Sequence, residues 1–183
     1  MIIAGIDYSL TSPSVCIHSG VEWDHTKCDF YYLSNKKGNI IETNQFHGSE
    51  YKDFNSDSHR YDNLSNWVLE ILRKHGVQKC YIEGYSYGSV GRVFQIGENT
   101  GVLKHALWKE SFSWDVFAPT SIKKFATGKG NANKQMMYDS FVEETKIDIR
   151  FLLNIKSENN WNPISDIIDA YWIAKLGNTG NKA

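Results

Sequence analysis

Apolar residues in the first third of the chain fall in short runs. Residues 2–9, Ile2 through Ile6 followed by Asp7, Tyr8 and Ser9, read as a buried strand with a polar tip. Residues 14–19 and 27–33 read as a second and a third strand. The stretch 34–61 is polar, charged and rich in Asn and Ser. It predicts a strand or two around Ile40 and Ile41, set between long loops.

From residue 64 the period changes. Leu64, Trp67, Val68, Ile71 and Leu72 recur at helical spacing, and Gly76 supplies a stop. A strand follows at 77–83, then a glycine-rich connection at 84–92. The pattern then predicts a helix over 93–109, a strand over 114–118, a short helix over 120–125 and a helix over 134–144. Pro163 stands at the head of a last helix over 164–176, where its missing N–H costs nothing. Residues 177–183 are expected to fray. Strands come first and helices then alternate with strands, so the fold class is α/β with a mixed sheet. No internal repeat or break divides the chain, and 183 residues suit one domain, 1–183, with one buried core.

Composition narrows the picture by exclusion. Hydrophobic residues make up an ordinary 41%, and no apolar run is long enough to span a bilayer, so no membrane partner is expected. The N-terminus is apolar but lacks the basic start of a signal peptide. Cys16, Cys28 and Cys80 are odd in number and have no CxxC spacing. That pattern fits core thiols in a reducing cytoplasm and argues against a zinc site. The six histidines are scattered without ligand spacing and read as structural or exposed. A net charge of −1 excludes a chain that is basic all over, so any nucleic-acid contact must use local cations. One such place exists: residues 119–134 hold Lys123, Lys124, Lys129 and Lys134 and no acid.

Four acids carry the candidate chemistry. Asp7 ends the first strand and Glu83 a later one, while Asp166 and Asp169 lie three apart on one face of the last helix. Taken singly, Asp7 fits a turn cap, Glu83 an exposed strand end and Asp166 a helix cap. Asp169 is harder to dismiss, because Ile167, Ile168, Ala170, Ile173 and Ala174 around it read as buried. Gathered together, four carboxylates repel unless cations sit among them, and all-oxygen donors suit magnesium or manganese. Phosphodiester hydrolysis with two metal ions is the chemistry that needs such a cluster.

The motifs, in order, resemble those of the RuvC-type Holliday junction resolvases. Gly5-Ile6-Asp7-Tyr8-Ser9-Leu10-Thr11 resembles the family's first-strand motif, Tyr81-Ile82-Glu83 the strand with the second acid, and Gly97-Glu98-Asn99-Thr100-Gly101-Val102 the small-residue helix start. The lysine-bearing stretch 119–134 and Asn162-Pro163-Ile164-Ser165-Asp166-Ile167-Ile168-Asp169-Ala170 are similar to its basic and closing motifs. The first motif alone is weak, since actin-like kinases open similarly, whereas the last two at this separation are specific. The stretch 22–61 looks longer than in usual members.

The resemblance implies an RNase H-like mixed β-sheet flanked by helices. It also implies a magnesium-dependent endonuclease, with manganese able to substitute, two ions per site and a homodimer cutting branched DNA such as a four-way junction. It carries Asp7, Glu83, Asp166 and Asp169 onto the metal-binding acids, Lys134 onto the active-site lysine and Lys123 onto a DNA-contacting lysine. Lys124 and Lys129 join Lys123 as phosphate contacts. The family's junction-wedging Phe is missing: Ser86 stands at that spot, with Tyr85 and Tyr87 beside it as stacking candidates. The helix over 93–108, with Gly97, Thr100 and Gly101, suits close approach either to a second copy or to its own sheet. The implied location is the cytoplasm, that of the host for a phage-encoded member. Other readings of the same acids are a nuclease for flaps, forks or RNA–DNA hybrids, and a non-catalytic junction-binding protein. An actin-like ATPase would need a second phosphate-binding half for which this chain has no room.

Overall fold

The computed structural model describes residues 1–85 and 93–180. The six strands among them are β1 (Ile2–Asp7), β2 (Ser14–Ser19), β3 (Cys28–Leu33), β4 (Phe46–Ser49), β5 (Lys79–Glu83) and β6 (Ser113–Phe117). The helices are α1 (Asp57–His75), α2 (Val93–Lys109), α3 (Pro119–Thr127), α4 (Lys134–Thr145), the single turn α5 (Ile149–Leu152) and α6 (Ile164–Asn178). The strands form one mixed sheet in the order β4-β3-β2-β1-β5-β6. β1, β2 and β3 run as an antiparallel meander, whereas β5 and β6 join parallel to β1, and β4 parallel to β3. Helices cover both faces, so the α/β reading with an RNase H-like mixed sheet holds.

Alternation along the strands builds two cores. Ala4, Ile6, Ile17, Cys80 and Ile82 face α1 and α2, whose inward stripes are Leu64, Val68 and Leu72, and Leu103 and Leu107. Ile3, Cys16, Phe30, Tyr32 and Tyr81 face the other way, onto α3, α4 and α6. Helix α6 is the central element of that second layer. It packs across β1 and β2 and against α3 and α4, and ten of its fifteen residues are buried. Two glycines permit this. A Cβ on Gly5 would lie 2.3 Å from the Ala170 carbonyl oxygen, and one on Gly177 would lie 2.2 Å from the Tyr81 ring. All three cysteines are buried and free.

Several expectations are corrected. The strand sought at Ile40 and Ile41 lies at Phe46–Ser49, because the Phe46 ring stacks on Phe30 with 4.7 Å between centroids. Ile41 lies outside the strands, accepting a backbone hydrogen bond from Gly48 and donating one to the Tyr32 hydroxyl. Helix α1 begins seven residues ahead of the apolar stripe, at a Ser56 cap that accepts from the His59 N–H at 3.1 Å. Its exposed first turns carry little apolar signal. Gly76 does end it, at φ 61°. The first strand stops at Asp7 rather than Ser9, since residues 9–12 turn back on the Ser9 hydroxyl, which accepts from the Ser12 N–H. Gly177 and Asn178, expected in a loose tail, are the last turn of α6.

Candidate active site

Strand register sets the first two acids side by side. Ile6 pairs with Ile82 in the parallel ladder between β1 and β5, which makes Asp7 and Glu83 neighbours at the C-terminal ends of adjacent strands. Alternation turns both toward α6, on the face that carries Ile3 and Tyr81. The bare Gly5 then lets α6 approach β1, and this brings in Asp166 and Asp169 from the start of that helix.

The four carboxylates lie in one another's electric field. Burial pushes the Asp7 carboxyl well above its usual range, and the charges of Asp166, Glu83 and Asp169 push it further, against Lys134. Asp169 is raised by burial and then by Glu83 and Asp166, with Lys123 and Lys134 opposing. Burial lifts Glu83 to about 7, Lys123 pulling it down and Asp166 pushing it up. Asp166 is raised by burial, partly offset by the hydroxyls of Ser12 and Ser9, by Lys134 and by Ser165. Ser12 donates to Asp166 Oδ2 at 2.7 Å, and Ser165 Oγ lies 3.3 Å from the same oxygen. Asp166 therefore does not cap its own helix; its carboxylate is held from the turn after β1.

Three hollows share lining residues here. The first, about 280 Å³, is lined by Asp7, Leu10, Thr11, Glu83, Tyr85 and Ile96. The second, about 330 Å³, joins Glu83 to Lys123, Lys134, Ser165 and Asp169. Glu83 is the wall they share. A third, about 220 Å³, meets the first at Leu10 and includes Arg60 and Gln95. Among the described residues, no three of the acidic, histidine or cysteine side chains already stand as a closed ligand cage. Like charges without a counter-ion push one another apart, so a looser cluster is the expected arrangement. The donor set itself fits a divalent cation: four carboxylates withdrawn from water, raised first by burial and then by one another's charge.

The lysines divide. Lys123, half-buried on α3, and Lys134, the first residue of α4 behind its Asn133 cap, both line the second hollow. Lys124 and Lys129 are exposed beyond it. Tyr85 lines the first hollow at 45% exposure, with Lys104 Nζ 5.0 Å from its ring centre. Tyr87 lies outside the described residues. On α2, a Cβ at Gly97 or Gly101 would meet nothing within 4 Å, so neither glycine packs on the sheet. They lie on a face with Phe94, 84% exposed, and Trp108, 67% exposed.

Sequence reasoning missed Ser12, Tyr51 and Arg60. Ser12 sits in a turn whose register no periodicity reveals. Tyr51 and Arg60 come from the polar stretch before and inside α1, and their neighbourhood to the site exists only in three dimensions. Burial raises the Tyr51 hydroxyl, with Arg60 lowering it and Asp166 raising it.

Comparison with known proteins identifies the family. The family model for crossover junction endodeoxyribonuclease RuvC matches residues 26–174. The stretch 22–61, expected to depart from the family, thus falls almost wholly inside the match. A crossover junction endodeoxyribonuclease RuvC from Chlamydia muridarum is 26% identical over 159 residues, which is 85% of this chain and 86% of that protein. Among solved structures, RuvC of Thermus thermophilus aligns over 98% of this chain and 97% of its own, at 18% identity and a TM-score of 0.60. The structure of T. thermophilus RuvC in complex with Holliday junction substrate aligns over 97% of both chains, at 15% identity and a TM-score of 0.58. At these identities the likeness to the solved structures is one of fold, while the family match rests on the sequence. The chain belongs to the RuvC family of crossover junction endodeoxyribonucleases.

Proposed function

We propose that this chain is a divalent-metal-dependent endonuclease that resolves four-way DNA junctions by phosphodiester hydrolysis, acting as a single nuclease domain over 1–183. The observation that carries the reading is the meeting of Asp7, Glu83, Asp166 and Asp169, from two strand ends and one helix, beside Lys123 and Lys134. Family membership supplies the class of substrate, since nucleases of this family are metal-dependent and its structural neighbours include a Holliday junction complex.

The four acids would hold two magnesium ions, with manganese as a substitute. Such ions supply an activated water and stabilise the leaving 3′ oxygen. The chain's own residues do the rest. Ser12 fixes the Asp166 carboxylate in one rotamer. Lys134 and Lys123 lie where negative charge gathers on the phosphate in the transition state, and each stabilises it electrostatically. Lys124 and Lys129 take phosphates farther along the duplex. Tyr85, and Tyr87 beyond it, offer rings for an unpaired base at the branch point.

The exposed face of α2 supports a homodimer. Phe94 and Trp108 present apolar surface, and the open Gly97 and Gly101 between them admit a second helix at close range. Two copies would cut two strands symmetrically. Three buried free thiols suit action in the cytoplasm, of the host for a phage-encoded chain. The deciding experiment compares cleavage of a synthetic four-way junction, a flap, an RNA–DNA hybrid and a linear duplex in magnesium. Selective, symmetric nicking of the junction supports the proposal, and equal cutting of all four contradicts it.

A further inference from the structure

Arg60, near the start of α1, is a cation that forms no ion pair among the described residues. It is half-buried. One Nη donates to the Leu10 carbonyl, in the turn after β1. Its Nε is buried and meets no acceptor. The guanidinium carbon sits 5.1 Å from the centre of the Phe54 ring, which holds the planar fork from one side. A half-buried guanidinium with a buried, unpartnered Nε and no carboxylate paired with it among the described residues is better satisfied when an anion completes it.

Its position suggests which anion. Arg60 lines the 220 Å³ hollow with Leu10, Asp57, Tyr61 and Gln95. Leu10 also lines the cleft of Asp7 and Glu83, and Glu83 in turn lines the hollow of Lys123 and Lys134. Through these shared lining residues the three hollows stand side by side. Lysines stand at one end, the acids in the middle and Arg60 at the other end. A DNA strand crossing the acids meets repulsion there and needs cationic contacts on both flanks. The lysines supply only one.

We propose that Arg60 binds a backbone phosphate of the substrate DNA as the strand leaves the Asp7–Glu83 cleft past Leu10, with the Gln95 amide as a second donor; this rests on the nuclease reading above. A guanidinium fork matches two phosphate oxygens at once, which an ammonium group cannot do. Asp57 shares the hollow and repels a phosphate on its own side. That leaves the edge bordered by Leu10 and Gln95 as the favourable approach.

The test is a salt titration of binding. The probe is a fluorescein-labelled synthetic four-way junction, and the parent protein is the full chain carrying Asp7→Asn, so that no cutting occurs. Arg60→Gln should weaken binding several-fold and lower the slope of log K against log salt by about 0.9, the share of one phosphate. Arg60→Lys should restore most of the slope. Gln95→Glu, which leaves the Leu10 contact intact, should weaken binding without lowering the melting temperature. If Arg60→Gln melts earlier but keeps the parent slope, and Gln95→Glu binds like the parent, the residue only anchors the turn and the proposal is overturned. If the parent itself does not bind the junction, the nuclease reading fails first and this inference with it.

Discussion

Ser12 Oγ stands 2.7 Å from Asp166 Oδ2, a hydrogen bond that crosses 154 positions of sequence. It ties the turn after β1 to the head of α6. A carboxylate held in one rotamer is a better ligand than one free to swing, and such supporting contacts are commonly worth 10–100-fold in metal affinity. Ser12→Ala is expected to raise the magnesium concentration for half-maximal cleavage about tenfold, with a smaller effect on the rate at saturating metal. A fall in saturated rate at unchanged metal requirement would argue against a positioning role.

Close approach of α6 to β1 is the mechanical basis of the site. A Cβ on Gly5 would fall 2.3 Å from both the Ala170 carbonyl oxygen and the Ala174 nitrogen, backbone atoms that cannot rotate aside. Gly5→Ala should therefore cost about 3 kcal/mol of stability, by thermal or urea unfolding. It should also reduce cleavage in whatever fraction stays folded, because the helix carrying Asp166 and Asp169 must shift outward. Near-native stability would show that α6 has slack, and would loosen the account of how the acids meet.

The raised carboxyls make stability depend on pH in a stated direction. Glu83 goes from its ordinary value of 4.5 to about 7, chiefly by burial. Between those values the folded chain holds a proton that the unfolded chain has released, so stability falls as pH rises. Asp7 and Asp169, also raised, act in the same direction. Metal-free protein should melt higher near about pH 5 than near about pH 8, and Glu83→Gln should flatten that difference. Added magnesium should raise the melting temperature mainly at the alkaline end, since the ions replace the lost protons. A melting temperature that climbs with pH in the absence of metal would contradict the burial of these carboxyls.

Lys123 lines the same hollow as Glu83 and Asp169, and its charge acts on both carboxyls. Lys123→Ala should weaken junction binding with little sequence bias and lower its salt dependence by about one phosphate. It should also slow cleavage at saturating DNA, an effect not expected of the exposed Lys124 or Lys129. If all three lysines behave alike, Lys123 is a phosphate contact and nothing more.

Much of this was legible in the chain itself. Short apolar runs located β1, β2 and β3, helical spacing located α2 and α4, and an apolar stretch headed by Pro163 located α6, which is buried on most sides. The four acids stood out because carboxylates at strand tips and amid isoleucines need a reason to be there, while Lys123 and Lys134 were singled out from their neighbours only by the resemblance. What stayed hidden was set by tertiary contact. β4 is four residues long and owes its place to Phe46 stacking on Phe30. Ser12 and Arg60 carry ordinary side chains in ordinary turns, and only the folded backbone brings one to Asp166 and the other to Leu10.

The most direct test of the central claim is metal-dependent cutting by Asp7→Asn compared with the unaltered chain, on a synthetic four-way junction and a linear duplex of the same sequence. Removing one charge from the cluster should abolish cleavage while junction binding persists, tightened by the relief of repulsion between carboxylate and phosphate. Full cleavage by Asp7→Asn would contradict the account.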